Sequence, residues 1–214
     1  MAKESKKDKQ ARAIEIVMRL RKLYGGARSA LDFISPLQCL IATILSAQCT
    51  DAQVNKVTPG LFRKYKNAES FASASPEELE QDIRSTGFYH NKATSIRKCC
   101  RSIVDRHNGT VPDTMDALLT LEGVGRKTAN CVLGNAYGQP AITVDTHVKR
   151  IAWRLGLTDH KDPDKIEFDL KALLPQEDWL EASHMIIDHG RAICNARNPR
   201  CTECLLDDLC PKRK

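Results

Sequence analysis

Apolar residues recur at helical spacing along nearly the whole chain. Ile16, Val17, Leu20, Leu23 and Tyr24 predict a helical face over about residues 13–24, which Gly25-Gly26 closes. Ser35-Pro36 supplies an N-cap and a proline at the first helical position. Leu37, Leu40, Ile41, Ile44 and Leu45 then predict a mostly buried helix to about residue 47. Thr50 and Asp51 can cap the next helix, which carries Val54 and Val57. Ser75-Pro-Glu-Glu78 joins an N-cap, a proline and a capping-box glutamate, with Gly87 as the stop. A longer helix is read from His90 to His107 through Ile96, Cys99 or Cys100, Ile103 and Val104. Beyond Gly138-Gln-Pro140, Ile142 to Val144 is short and extended, and Asp145 opens a helix through Val148, Ile151 and Leu155. Two more amphipathic helices follow, near 164–174 and 177–193. The β-branched runs are too short to pair into a sheet, so the expected fold is all-α, with roughly ten helices. Residues 1–12 are lysine-rich without an apolar period and are read as a solvated, partly disordered arm.

One interruption of the helical pattern differs from the others. In Leu121-Glu-Gly-Val-Gly-Arg-Lys-Thr-Ala129, Gly123 and Gly125 flank Val124, which permits a sharp turn and exposes backbone N–H groups. A helix runs on from Arg126, so those donors fall at a helix N-terminus, where anions bind. Gly123, Val124, Gly125 and Arg126 therefore form a candidate phosphate grip between two helices. The alternative is an ordinary helix connection with glycines for close packing. A P-loop is excluded, because that pattern needs Gly-Lys-Ser/Thr.

Cysteine usage adds a second anchor. Of nine cysteines, Cys194, Cys201, Cys204 and Cys210 are separated by six, two and five residues. Zinc ribbons pair two short Cys-x-x-Cys hooks and this run has one; four thiolates in a short loop suit an iron–sulfur cluster. The other five fall mostly in apolar helical contexts, where a thiol acts as a small hydrophobe. An odd total without a signal peptide argues against a secreted disulfide scaffold. The formal charge of +6 over 214 residues permits an anionic partner without requiring one. No apolar run reaches the roughly 18 residues that span a bilayer, and the protein is expected to be cytoplasmic.

Taken with Leu45-Ser-Ala-Gln-Cys-Thr-Asp51 and Val144-Asp-Thr-His147, these segments resemble the endonuclease III family of DNA glycosylases, in that family's order and spacing from about Ile16 to Cys210. The resemblance implies a helix-hairpin-helix DNA glycosylase fold of two helical lobes with a DNA-binding groove between them. A six-helix barrel lobe would span 29–139, with the helix-hairpin-helix at about 114–133. Residues 1–28 plus 140–214 would form the other lobe, with a [4Fe-4S] cluster loop at 194–210. The implied partner is double-stranded DNA bearing a damaged base or abasic site. A monomer associated with a bacterial nucleoid is expected.

Residue by residue, the resemblance makes Lys127 the nucleophile, attacking the sugar C1′ to expel the base and leave a Schiff base. The helix N-terminus and Arg126 both favour its neutral amine. Asp145 suits an N-cap, and a carboxylate fixed in that way can also stabilise an oxocarbenium-like sugar; the two roles are compatible. Gln48 and Phe88 are candidates to fill the gap left by an extruded nucleotide. The family uses Gln at the first position and more usually leucine at the second, so Phe88 is a departure whose alternative is a core aromatic. Arg197 and Arg200 sit in the loop between the first two cluster cysteines, which contacts phosphates in relatives, although Asn198 replaces a common basic residue. His147 either meets DNA or is a satisfied helix histidine. Glu122 replaces the usual hairpin proline, and somewhat weaker binding is expected.

These features point to a bifunctional DNA glycosylase and abasic-site lyase acting on oxidised pyrimidines such as thymine glycol. An adenine-type mismatch glycosylase of the same superfamily is the nearest alternative. It would lack the hairpin lysine, need an acid in the helix before Gln48 and carry a further C-terminal domain. A non-catalytic iron–sulfur DNA-binding protein is the other alternative, and Lys127 together with Asp145 argues against it.

Overall fold

The computed structural model describes residues 4–213. Among the described residues the regular structure is entirely helical, with eleven α-helices and four short 3-10 turns. No helix among them is long and apolar enough to cross a membrane. By backbone contact the chain divides into two compact units, Met1–Arg28 with Pro140–Lys214, and Ser29–Gln139.

The central unit holds α2 (Pro36–Leu45), α3 (Asp51–Lys64), α4 (Ala68–Ala72), α5 (Pro76–Ile83), α6 (Tyr89–His107), α7 (Met115–Leu119) and α8 (Arg126–Tyr137). Its caps follow side-chain chemistry. Ser35, Thr50, Ser75 and Thr114 each accept a first-turn N–H, leaving fewer bare donors at those ends. The core is built on Leu40, Ile41, Leu45, Phe71, Leu79, Ile83, Ile96, Ile103 and Leu118, all fully buried. The sequence pattern missed α4, only five residues long. Reciprocal Asn67–Ser70 bonds form its capping box, and Phe71 packs beneath Tyr65 with ring centroids 4.9 Å apart.

The second unit joins both chain ends. α1 (Lys6–Tyr24) lays Ile16, Val17 and Leu20 against Val148, Ile151 and Leu155 of α9 (Thr146–Arg154), Ile166 and Leu170 of α10 (Pro163–Leu173), and Met185 and Ile186 of α11 (Trp179–Ala192). The expected disordered arm is overturned from Lys6 onward; residues 1–3 lie outside the described residues. Ser5 Oγ accepts the Asp8 N–H as a cap, and Arg12 bonds Glu4 and the carbonyls of Leu155 (2.6 Å) and Leu209 (3.2 Å). A lysine-rich segment can be helical when its cap and one arginine are anchored, although its lysines give no apolar period.

Candidate functional site

The hairpin lies between α7 and α8. Gly123 takes φ +75°, and a Cβ there would come 3.2 Å from Ser95 Cβ, so both backbone and space call for glycine. Gly125 is different: its φ is −91° and nothing lies within 4 Å of where its Cβ would be. As the cap residue of α8 it offers no side-chain acceptor, so the first-turn donors are left without a side-chain cap. Val124 contributes otherwise than expected. Its side chain is buried, and its N–H closes the turn onto the Leu121 carbonyl at 3.2 Å. Any anion grip therefore begins at Gly125 and continues into α8. Arg126 is half-buried, whereas Lys127 is exposed in the first turn of that helix.

Gln48, Phe88 and Gly123 come together around a cavity of about 300 Å³, with Ile44, Ala47, Asn91, Lys92 and Ser95 completing its lining. Gln48 and Phe88 both hold left-handed backbone, φ +51° and +49°, an uncommon conformation for non-glycine residues that costs energy. Phe88 is 63% exposed, which removes the core-aromatic reading.

The remaining candidates stand in the other unit. Asp145 is half-buried and caps α9, its Oδ1 accepting the Val148 N–H at 2.8 Å. His147 Nδ1 lies 3.2 Å from Arg150 Nη2, and both crowd the backbone of Gly190. Two arginines of α9 hold the cysteine loop by its carbonyls. Arg150 donates to Cys194 O at 3.0 Å, while Arg154 donates to Asn195 O at 2.7 Å and Ala196 O at 2.8 Å. Arg200 is also committed, to the Ala192 carbonyl at the end of α11 and to Glu203, while Arg197 is exposed at the edge of the cysteine loop. Cys194, Cys201, Cys204 and Cys210 line one cavity of about 460 Å³. Burial pushes the thiols of Cys204 and Cys210 up from the usual range, and their negative neighbours in the set act in the same direction. His189, lowered to about 4 by burial, points Nε2 at Cys204 Sγ from 3.6 Å.

Lys92 escapes sequence reasoning. It occupies the buried stripe of α6, four residues before Ile96, where the helical period demands an apolar side chain. That mismatch was the available signal. Gly190 escapes too, since a packing glycine inside a helix carries no local mark.

A helix-hairpin-helix element within an all-α chain, followed by a carboxylate at a helix start and a four-cysteine loop, defines a class of DNA repair protein. The chain belongs to the HhH-GPD superfamily of base excision DNA repair proteins, whose profile matches residues 41–176. It is 56% identical to the endonuclease III of Synechocystis sp. over 204 residues, covering 95% of this chain and 93% of that protein. With the endonuclease III of Escherichia coli it shares 41% over 201 residues, 94% and 95% of the two chains. A solved structure of a trapped endonuclease III–DNA covalent intermediate, the estranged-adenine complex, matches with a TM-score of 0.91 at 44% identity, covering 95% of this chain and 96% of that one. The chain is a DNA glycosylase and abasic-site lyase of base excision repair.

Proposed function

We propose that this enzyme removes oxidised pyrimidines such as thymine glycol from duplex DNA, with Lys127 as nucleophile and Asp145 as its charged partner. The observation that carries the assignment is the exposed Lys127 side chain in the first turn of a helix whose cap residue is a glycine. Backbone donors there suit the phosphate of a target nucleotide and bring its sugar to the amine. The neutral Nζ attacks C1′, and the glycosidic bond breaks with its electron pair leaving on the base, which takes up a proton. Ring opening gives a C1′=N Schiff base and a protonated O4′. Loss of a C2′ proton then drives cleavage of the C3′–O bond, and water releases the sugar fragment and restores the lysine. Asp145, held by its cap bond, stabilises positive charge developing on the sugar and accepts protons from the amine.

Gln48 and Phe88 enter the gap left by the extruded nucleotide, which lowers the cost of unstacking. Phe88 is suited to this by its exposure, and Gln48 by its place on the same cavity. Gly125, Arg126 and Arg197 meet the phosphate backbone, with His147 contributing its outer edge.

The four cysteines fit a [4Fe-4S] cluster. They line a single cavity, and the run holds one Cys-x-x-Cys hook where a zinc ribbon pairs two, which favours a cluster over zinc. Four cysteine ligands leave no open iron position, so the cluster would act by holding the loop of Arg197. Arg150 and Arg154 secure the same loop from α9.

Borohydride treatment of the enzyme on a thymine-glycol duplex should give a covalent adduct, and Lys127→Gln should lose both adduct and excision while still binding DNA. An active enzyme that forms no adduct would exclude the Schiff-base route. Iron and sulfide analysis tests the cluster; one zinc per chain would exclude it.

A further inference from the structure

Lys92 is 4% exposed, so its ammonium does not reach a DNA backbone from where it stands. Its Nζ donates to the Thr86 carbonyl at 2.7 Å, and its main-chain N–H donates to the Phe88 carbonyl at 3.1 Å. One residue thus grips the chain on both sides of Gly87, where two consecutive residues are left-handed: Gly87 at φ +70° and Phe88 at φ +49°. Phenylalanine gains nothing locally from that conformation, and it persists only where surrounding bonds over-determine it. Gly87 itself has open space around its Cβ position, so no packing contact there holds the turn. Burial holds the Lys92 ammonium below the usual lysine range. An apolar residue of similar length would cost the core less at this site, which leaves the bond to Thr86 as the reason for a lysine.

We propose that Lys92 is a positioning residue for base extrusion, clamping the Thr86-Gly87-Phe88 turn so that the Phe88 ring stays exposed beside the cavity it shares with Gln48 and Gly123. This rests on the reading of Phe88 as the wedge. Without the clamp the turn relaxes toward right-handed backbone and the ring leaves its place. The slowing expected is about 5- to 30-fold, the population factor that matches one residue's left-handed cost.

The test compares Lys92→Met, Lys92→Arg, Phe88→Ala and Gly87→Ala on two substrates. One is a thymine-glycol duplex with 2-aminopurine beside the lesion; the other is a single-stranded abasic oligonucleotide, which needs no extrusion. Lys92→Met should slow the fluorescence rise and excision on the duplex by that factor while cleaving the single strand at the wild-type rate. Lys92→Arg should recover part of the loss. Equal loss on both substrates would mean a merely structural role and would overturn the proposal. So would normal extrusion by Lys92→Met alongside impaired Phe88→Ala. Normal extrusion by Phe88→Ala would instead remove the wedge reading itself. Should Lys92→Met fail to fold, Gly87→Ala carries the test: it alters only the turn, and wild-type extrusion by that variant overturns the proposal.

Discussion

Asp145 has two separable jobs, and a pair of substitutions separates them. Its Oδ1 caps α9 through the Val148 N–H at 2.8 Å, and the proposed chemistry uses its charge. Asn supplies the same acceptor at the same reach and ranks with Asp as a cap. Asp145→Asn should therefore cost only the charge–dipole contribution, about 0.3–1 kcal/mol. Asp145→Ala removes the cap as well, adding roughly 1 kcal/mol, or about 2–4 °C of melting temperature for a chain of this size. Activity should order differently. Both variants lose the charge, so both should lose single-turnover excision of thymine glycol by about 10²- to 10³-fold, the scale of a removed preorganised electrostatic group. Thermal melts and excision rates measured on the same preparations would decide it. An Asn variant that excises at the wild-type rate refutes the catalytic role. Equal destabilisation by Asn and Ala refutes the claim that the hydrogen bond to Val148 fixes the carboxylate.

Other outcomes follow from packing and charge. Gly190→Ala would bring a methyl within 2.8 Å of Ile151 Cδ1 and 2.9 Å of His147 Nδ1; a loss of about 1–3 kcal/mol is expected, with iron content falling as Arg150 is displaced from Cys194, as melts and metal analysis would register. Gly123→Ala combines a left-handed φ with the contact to Ser95 and should cost about 1–2 kcal/mol, weakening binding to abasic duplex in a titration. His184 is held below the usual histidine range chiefly by burial. The unfolded chain therefore binds the proton first, and stability should fall as pH drops below about 6.5, by up to about 1.4 kcal/mol per pH unit until the folded form also protonates. Urea denaturation across that range should show a shallower slope in His184→Gln.

Much of this molecule is legible in its sequence. Ser35-Pro36, Thr50, Ser75-Pro76 and Asp145 marked helix starts correctly, because a cap is written in adjacent residues. The hairpin and the cysteine loop were legible for the same reason, as local chemistry at fixed spacing. What escaped depends on how the chain folds back on itself. Lys92 shows itself only as a charge in an apolar stripe, and its partner, the Thr86 carbonyl six residues away, is set by the turn between them, while nothing near Gly190 announces Ile151 and His147. The helical start of α1 was hidden because its anchor, Arg12, bonds carbonyls at Leu155 and Leu209. Val124 shows the converse limit: the motif was found, but which of its N–H groups the turn consumes is a matter of three-dimensional closure.

That one unit is assembled from both chain ends has a consequence for biosynthesis. Ser29–Gln139 is contiguous and can mature as soon as it leaves the ribosome. The first helix cannot: Ile16, Val17 and Leu20 gain the last of their partners only when Met185 and Ile186 are translated. Nascent chains stalled before residue 185 should accordingly recruit holdase chaperones through the part of their amino-terminal segment still left bare.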